Sequence, residues 1–376
     1  MNIWNHLETE LKRRESLDLR RFLRAVPNGA LDLASNDYLG LSHHPEVVDA
    51  ACAAAREFGA GARASRLVSG HFSLVEELES ALAKFKECES ALVFSSGYAA
   101  NFGVISSLAN AQTALFCHKR NHASLLDACR FAQSLGAGLR FFESNEKLRL
   151  LLENSKFPQK MIVIDGVFSM DGDVCDLPAI TNLARQFDAL VLLDDAHGTG
   201  TLGATGRGTS EHFGLHDERI ICVGTLSKAL GSQGGFVAGP QILVDFLVNS
   251  ARSFVYSTGL NPPAVGAAFK ALQIIEREPQ RIEKCRANAH FLWKSLSELG
   301  FEARLQPSPI LPVSLGDEKR ALELSESLLE AKLWCRAIRF PTVPKGGARL
   351  RIGVSASWND EDLTRIIAGF ARQKPA

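Results

Sequence analysis

One lysine, Lys228, stands in the stretch GTLSKALGSQGG (224–235), between hydroxyl residues and glycines and just after the apolar run IICV. A second apolar run, ALVLL, ends in Asp194-Asp195-Ala196-His197. An amine that can shed its proton forms an imine with an aldehyde and later acts as a base. A carboxylate at a buried strand end costs desolvation unless a cation or hydrogen-bond donors meet it. A protonated aromatic nitrogen would be such a partner, and it keeps the ring that carries it an electron sink. Asp195 is the neighbouring candidate, but successive strand residues point to opposite sides. His197, three residues after Asp194, could donate to an oxygen on the same ring.

That combination fits the anchoring of pyridoxal phosphate. A P-loop competes, yet its pattern requires glycine directly before the lysine, and Ser227 is there. Magnesium on Asp194–Asp195, as in a metal-dependent nucleotide hydrolase, is a second alternative, but no phosphate-binding loop of the right form accompanies it. A histidine such as His197 is more often structural, and a metal site would need further ligands at ordered spacing; no metal is expected. The segment FSSGYAAN (94–101) places Gly97 and Tyr98 between a strand and a helix, where N–H groups bind phosphate and glycine permits close approach. Thr225 and Ser227 would add hydroxyls. His122, in KRNHAS, could stack on a ring or merely cap a helix. Asp165 and Ser169, in DGVFSMDGD, follow another strand and could reach the ring's face or rim. Arg21, Arg349 and Arg351 are the cations for a substrate carboxylate or phosphate, and Arg349 and Arg351 share one side of a strand.

These residues must be carried by the elements between them. Residues 4–24 read as a charged amphipathic helix, and LDLASNDYLGLS as a short strand entering a turn. Pro45 opens a helix to Phe58 that Gly59 can stop. GAGARASRLVSGH is too glycine-rich for a helix, and Ser73 with Glu76 predicts a capping box for a helix to about Lys86. Strands ALVFS, TALFC, LRFF, MIVID, ALVLLD, IICVG and GGFVAG then alternate with helices near 98–109, 122–135, 146–154 and 177–187. Such a pattern predicts an α/β fold with a mostly parallel, buried central sheet covered by helices. Ligands in such sheets lie beyond the carboxyl ends of the strands, where the polar residues named above fall. Helices at 261–278 and 280–299 lead to a smaller C-terminal α+β domain holding ILPVSL, a helix at 317–331, ARLRIGVSA and a last helix at 360–372. The expected division is an N-terminal segment 1–40, a large domain 41–250, and connecting helices with the small domain over 251–376.

Lysine plus arginine balances aspartate plus glutamate at 42 each, so no basic surplus points to nucleic acid. The eight cysteines lack CxxC pairs and read as small core residues of a reducing cytoplasm. No apolar stretch is long enough to span a bilayer.

Motifs along nearly the whole chain resemble the α-oxoamine synthase family of fold-type I pyridoxal-phosphate enzymes. They are SNDYLGLSHHP (35–45), SRLVSGH (65–71), FSSGYAAN (94–101), NHAS (121–124), GVFSMDGD (166–173), DDAHGTG (194–200), TLSKALGSQGG (225–235), YST (256–258) and PTVPKGGARLRI (341–352). The resemblance implies that Lys228 bonds the cofactor's aldehyde, Asp194 pairs with the pyridinium, His197 contacts the phenolic oxygen and His122 stacks on the ring. Gly97, Tyr98, Thr225 and Ser227 would surround the cofactor, chiefly its phosphate, with Ser169 beside it. Asn36 and Arg351 would hold the amino-acid carboxylate, with Arg21 near the acyl chain and Thr342 also on the substrate side. The family works as a homodimer with active sites at the interface, so Ser257 or Thr258 would reach the partner's cofactor phosphate. The implied reaction is a decarboxylative condensation of L-alanine with pimeloyl-CoA or a pimeloyl-carrier-protein thioester. Glycine with acetyl-CoA or succinyl-CoA are the alternatives within the family. This chain departs from it at Asp165, where glutamate is common, and in a short link before SNDYLG.

Overall fold

The computed structural model describes residues 2–17 and 19–373. Seven strands form the main sheet, in the spatial order Ser90–Phe94, Gly235–Gly239, Ile220–Thr225, Leu190–Asp194, Gln159–Asp165, Thr113–His118 and Gly138–Phe142. All pairs are parallel except those of Gly235–Gly239, which runs antiparallel to both neighbours. Buried residues run unbroken along Thr113–His118, Ile220–Thr225 and Gly235–Gly239, as a sheet covered on both faces requires. The mostly parallel sheet expected from the sequence is therefore present, with one reversed strand that follows the Lys228 turn.

Helices pack on both sides of this sheet in two apolar clusters. One joins Val104, Leu125 and Leu243 to the strands, and the other joins Leu148, Ile180 and Ala184. The third and largest cluster runs from Leu78 and Leu82 through Ile274 and Ile275 to Leu350 and Ile352, so the small C-terminal sheet shares a core with the large unit. That small sheet is antiparallel, in the order Ala337–Ile338, Ala348–Gly353, Ile310–Gly316 and Glu302–Ala303. The helix Pro262–Arg277 starts on an Asn261 cap with prolines in its first turn, as the NPP signal predicts.

Two local expectations fail. The first helix stops at Ser16, and the chain from Leu19 to Val26 carries no regular structure; Asp18 lies outside the described residues. None of that helix is buried, so no packed face extends it. The capping box at Ser73 is absent too. Phe72 occupies the cap position, Ser73 is already helical, and Glu76 turns instead to His71 at 2.9 Å. No helix among the described residues is long and apolar enough to cross a membrane.

Candidate active site

Parallel strands all end on one side, and here those ends deliver Asp165, Asp194 and Thr225 together. Asp165 and Asp194 are register partners on neighbouring strands. His122 caps the helix Ala123–Ser134, and Gly97 opens the helix Gly97–Leu108 behind a Ser96 cap. Lys228 lies on the bend that follows Ile220–Thr225.

Lys228 Nζ is 2.9 Å from His197 Nε2, and His197 Nδ1 is 2.7 Å from the Tyr38 hydroxyl. Tyr38 donates its one proton to Asn36 Oδ1 at 3.0 Å and accepts from Arg351 Nη2 at 3.1 Å. With that proton committed, Tyr38 can only accept from His197. His197 is thus the Nδ1–H tautomer, and Nε2 accepts from the lysine. Burial holds the imidazole neutral, pushing its pKa well below 6.5, and the Lys228 and Arg351 charges act the same way. Burial also lowers the Lys228 amine to about 8, against the opposing pull of Asp194. About one such amine in ten is neutral at pH 7, which an ordinary lysine does not approach.

Asp194 is buried and accepts from Ala196 N at 3.0 Å and from Asn101 Nδ2 at 2.6 Å. Asn101 Nδ2 also reaches Ser124 Oγ at 2.9 Å, and Ser124 Oγ lies 2.8 Å from His122 Nδ1. Among the described residues no ion pair reaches Asp194, and Asn101 Oδ1 beside it is buried without a partner. Buried acceptors in that state call for a further donor. A protonated ring nitrogen is a donor and a cation in one, so the residues fit the pyridine of pyridoxal phosphate. The phosphate end fits as well. The positive N-terminus of Gly97–Leu108 faces Thr225, and a Cβ on Gly97 would come 3.6 Å from the Thr225 Cβ, filling that cradle. Ser227 Oγ is 2.8 Å from Thr225 Oγ1. On the next strand, a Cβ on Gly235 would sit 2.5 Å from Gly97 N, so only glycine lets the helix start so close to the sheet.

Asp195 points the other way, as strand alternation predicts. Its carboxylate meets Lys86 Nζ at 2.9 Å and Thr209 Oγ1 at 2.6 Å. Lys86 also donates to Thr199 Oγ1 and to the Arg207 carbonyl. A paired aspartate with its cation in place leaves no reason to read Asp194–Asp195 as a magnesium pair.

The predicted residues do not all converge. Arg351 is buried and donates from Nε to the Ser169 carbonyl at 2.5 Å, whereas Arg349 on the same strand face pairs with Asp171. The structure thus separates two arginines that the sequence leaves equivalent. Arg21 Nη2 bonds Thr342 Oγ1 at 3.0 Å, so these two meet each other, both on exposed ground and outside the Lys228 chain of bonds. Tyr98 is 46% exposed and its hydroxyl turns to Asp127 Oδ2 at 2.9 Å, so at the helix start it is the neighbouring Gly97, not the Tyr98 ring, that lies against Thr225. Thr258 is exposed and pairs through its backbone with Ser65. Sequence reasoning missed Tyr38, Asn101, Ser124 and Lys86. Tyr38 sits within the quoted SNDYLG motif and Asn101 one helical turn after Gly97, so both were within reach.

The model for aminotransferase class I and II matches residues 28–370. The chain is 41% identical to the 8-amino-7-oxononanoate synthase of Symbiobacterium thermophilum over 352 residues, covering 93% of this chain and 90% of that protein. A solved structure of SPT with its PLP internal aldimine superposes with a TM-score of 0.90 at 30% identity, covering 98% of this chain and 96% of the other. The 8-amino-7-oxononanoate synthase of Francisella tularensis superposes at 0.77 with 25% identity, over 92% and 98%. With sheet, lysine turn and strand-end carboxylate all in place, the chain belongs to the α-oxoamine synthase family of fold-type I pyridoxal-phosphate enzymes, among the 8-amino-7-oxononanoate synthases.

Proposed function

We propose that this protein joins L-alanine to a pimeloyl thioester, of CoA or of a carrier protein, giving 8-amino-7-oxononanoate, carbon dioxide and the free thiol. The observation that carries the reading is the Lys228–His197–Tyr38 chain of hydrogen bonds, which ends on Asn36 and Arg351 and lies beside a buried carboxylate without a cation. The choice of alanine and pimeloyl over other partners follows the similarity to 8-amino-7-oxononanoate synthases; glycine with acetyl-CoA and succinyl-CoA are the competitors.

Pyridoxal phosphate, when bound, supplies an aldehyde that takes up amines and a ring that accepts the electron pair released at the amino acid's α-carbon. Asp194 would hold its ring nitrogen protonated, and Gly97, Thr225 and Ser227 would hold its phosphate with backbone N–H groups and hydroxyls. His122 would lie against the ring and His197 at its phenolic oxygen. Arg351, freed from one of its present partners, would bind the alanine carboxylate in its planar fork, with Asn36 beside it. Lys228, its proton lowered in affinity by burial, would remove the α-proton and hand it back after loss of carbon dioxide. His197 Nε2 would accept from that amine and keep it aimed. Arg21 and Thr342, joined across the N-terminal segment and the small domain, would border the acyl chain.

The functional unit in this reading is a homodimer in the cytoplasm, built from an N-terminal segment 1–40, a large domain 41–250 and a small domain 251–376. Thr258 and the neighbouring Tyr256 stand exposed, where a second copy could meet them, and Thr258 would there serve the partner's phosphate site. Borohydride reduction of the pyridoxal-phosphate-loaded protein, followed by peptide mass mapping, tests the anchoring. The mass of the reduced cofactor is expected on Lys228. Its appearance on another lysine, or on none, contradicts the assignment.

A further inference from the structure

Asp165 lies beside the anchoring carboxylate and has no part in the chemistry above. It is 3% exposed, and Asp194 6%. As register partners on parallel strands, they place their side chains on the same side of the sheet at a strand spacing of about 4.8 Å. Two buried carboxylates so close do not both ionise without a cation between them, and among the described residues neither has one in contact. Their donors decide which keeps the charge. Asp194 accepts from two groups, Ala196 N and the short bond from Asn101. Asp165 accepts from one, His122 N, at 2.8 Å.

We propose that Asp165 is a positioning residue that works as the neutral acid: it leaves the single negative charge of the pair on Asp194 and fixes the backbone of His122 through its carboxyl oxygen. The proton comes from solvent and stays on Asp165. Its functional meaning rests on the reading above, because a lone anion at Asp194 is what a cationic ring nitrogen needs. Burial raises the Asp165 pKa well above 3.8, the Asp194 charge adds to this, and the His122 N–H and the Lys228 charge oppose it. The remaining groups that interact with it are thiols, Cys117 from Thr113–His118 and Cys175, whose backbone N–H donates to the Gly166 carbonyl, and neither supplies a cation.

The sign of the pH dependence follows. A carboxyl whose pKa is raised on folding binds more protons in the native state, so its contribution to stability is complete below the unfolded value and is lost as pH rises toward the folded one. Asparagine at the same place keeps an oxygen for His122 N and never ionises. Thermal melts of the cofactor-free wild type, Asp165→Asn and Asp194→Asn between about pH 5 and about pH 8 read this directly. The Asp165→Asn midpoint should pull ahead as pH rises, reaching about 2–4 °C above wild type at the alkaline end. Asp194→Asn, which removes the neighbouring charge, should flatten the wild-type slope, and this arm stands even where Asp165→Asn fails to fold. An Asn curve parallel to wild type, or one that falls further below it with pH, overturns the proposal, as does an unaltered slope in Asp194→Asn. In the loaded protein, Asp165→Leu should weaken pyridoxal phosphate binding about tenfold while Asp165→Asn stays within about threefold; equal losses overturn the positioning role. The melts contain no cofactor, so their failure leaves the anchoring at Lys228 untouched, and failure of that anchoring leaves the melts readable.

Discussion

At the scale of single residues, the chemistry depends on a lysine whose environment is set by opposing influences. Burial lowers the Lys228 amine to about 8, Asp194 raises it and Arg351 lowers it. Removing the Asp194 charge takes away the largest raising influence, so Asp194→Asn should carry the Lys228 pKa below about 8. The pH dependence of amine acylation in the cofactor-free protein, mapped by mass spectrometry, checks this; an upward shift contradicts the sign. Much of this was legible in sequence, since a lysine after a strand, Asp194 and His197 are written in two short motifs. The tautomer of His197 was not, because it depends on Tyr38 and Arg351, which are 313 positions apart.

At the scale of elements, one turn does most of the positioning. The chain from Asp195 to Thr201 carries His197 toward Lys228 and is held from below by Lys86, at the end of the helix Ser73–Phe85. The Lys86 and Asp195 side chains are 4% and 2% exposed, so breaking the pair strands a buried charge. Lys86→Met should destabilise the protein by about 3–5 kcal/mol, and adding Asp195→Asn should recover a large part of the loss. Urea unfolding of the two variants decides: equal stability of both would show that the stranded carboxylate is not the cost. The strands and most helices could be read from short valine-, leucine- and isoleucine-rich runs, since a doubly covered sheet leaves little else to fit them. The first helix is shorter than its charge patterning predicts, because that patterning persists past Ser16 while no buried face holds the chain helical there. The Lys86 contact was hidden because nothing in sequence ties a lysine at a helix end to a carboxylate 109 positions on.

At the scale of the whole molecule, the site is assembled across the fold: the main sheet supplies Asp194 and Thr225, the turn after Leu31–Asp32 supplies Asn36 and Tyr38, and the small sheet supplies Arg351. Arg351 links all three through Ser169 and Tyr38. Losing a charge-assisted carboxylate contact is worth about 1.5–3 kcal/mol, so Arg351→Ala should raise the KM for alanine by roughly 10–100-fold. A change in kcat alone would instead assign Arg351 to the fold. Sequence motifs located both ends of this arrangement, but the acyl chain leaves no equally sharp signature, and Arg21 with Thr342 sits apart from the lysine. Product analysis therefore tests the central claim most directly. The pyridoxal-phosphate-loaded protein is offered alanine, glycine or serine with pimeloyl, acetyl, succinyl or palmitoyl thioesters. Alanine with the pimeloyl thioester should give 8-amino-7-oxononanoate, with carbon dioxide and thiol released in equal amounts, and Lys228→Ala should give none. Turnover of another pair with no product from alanine and pimeloyl would contradict the account.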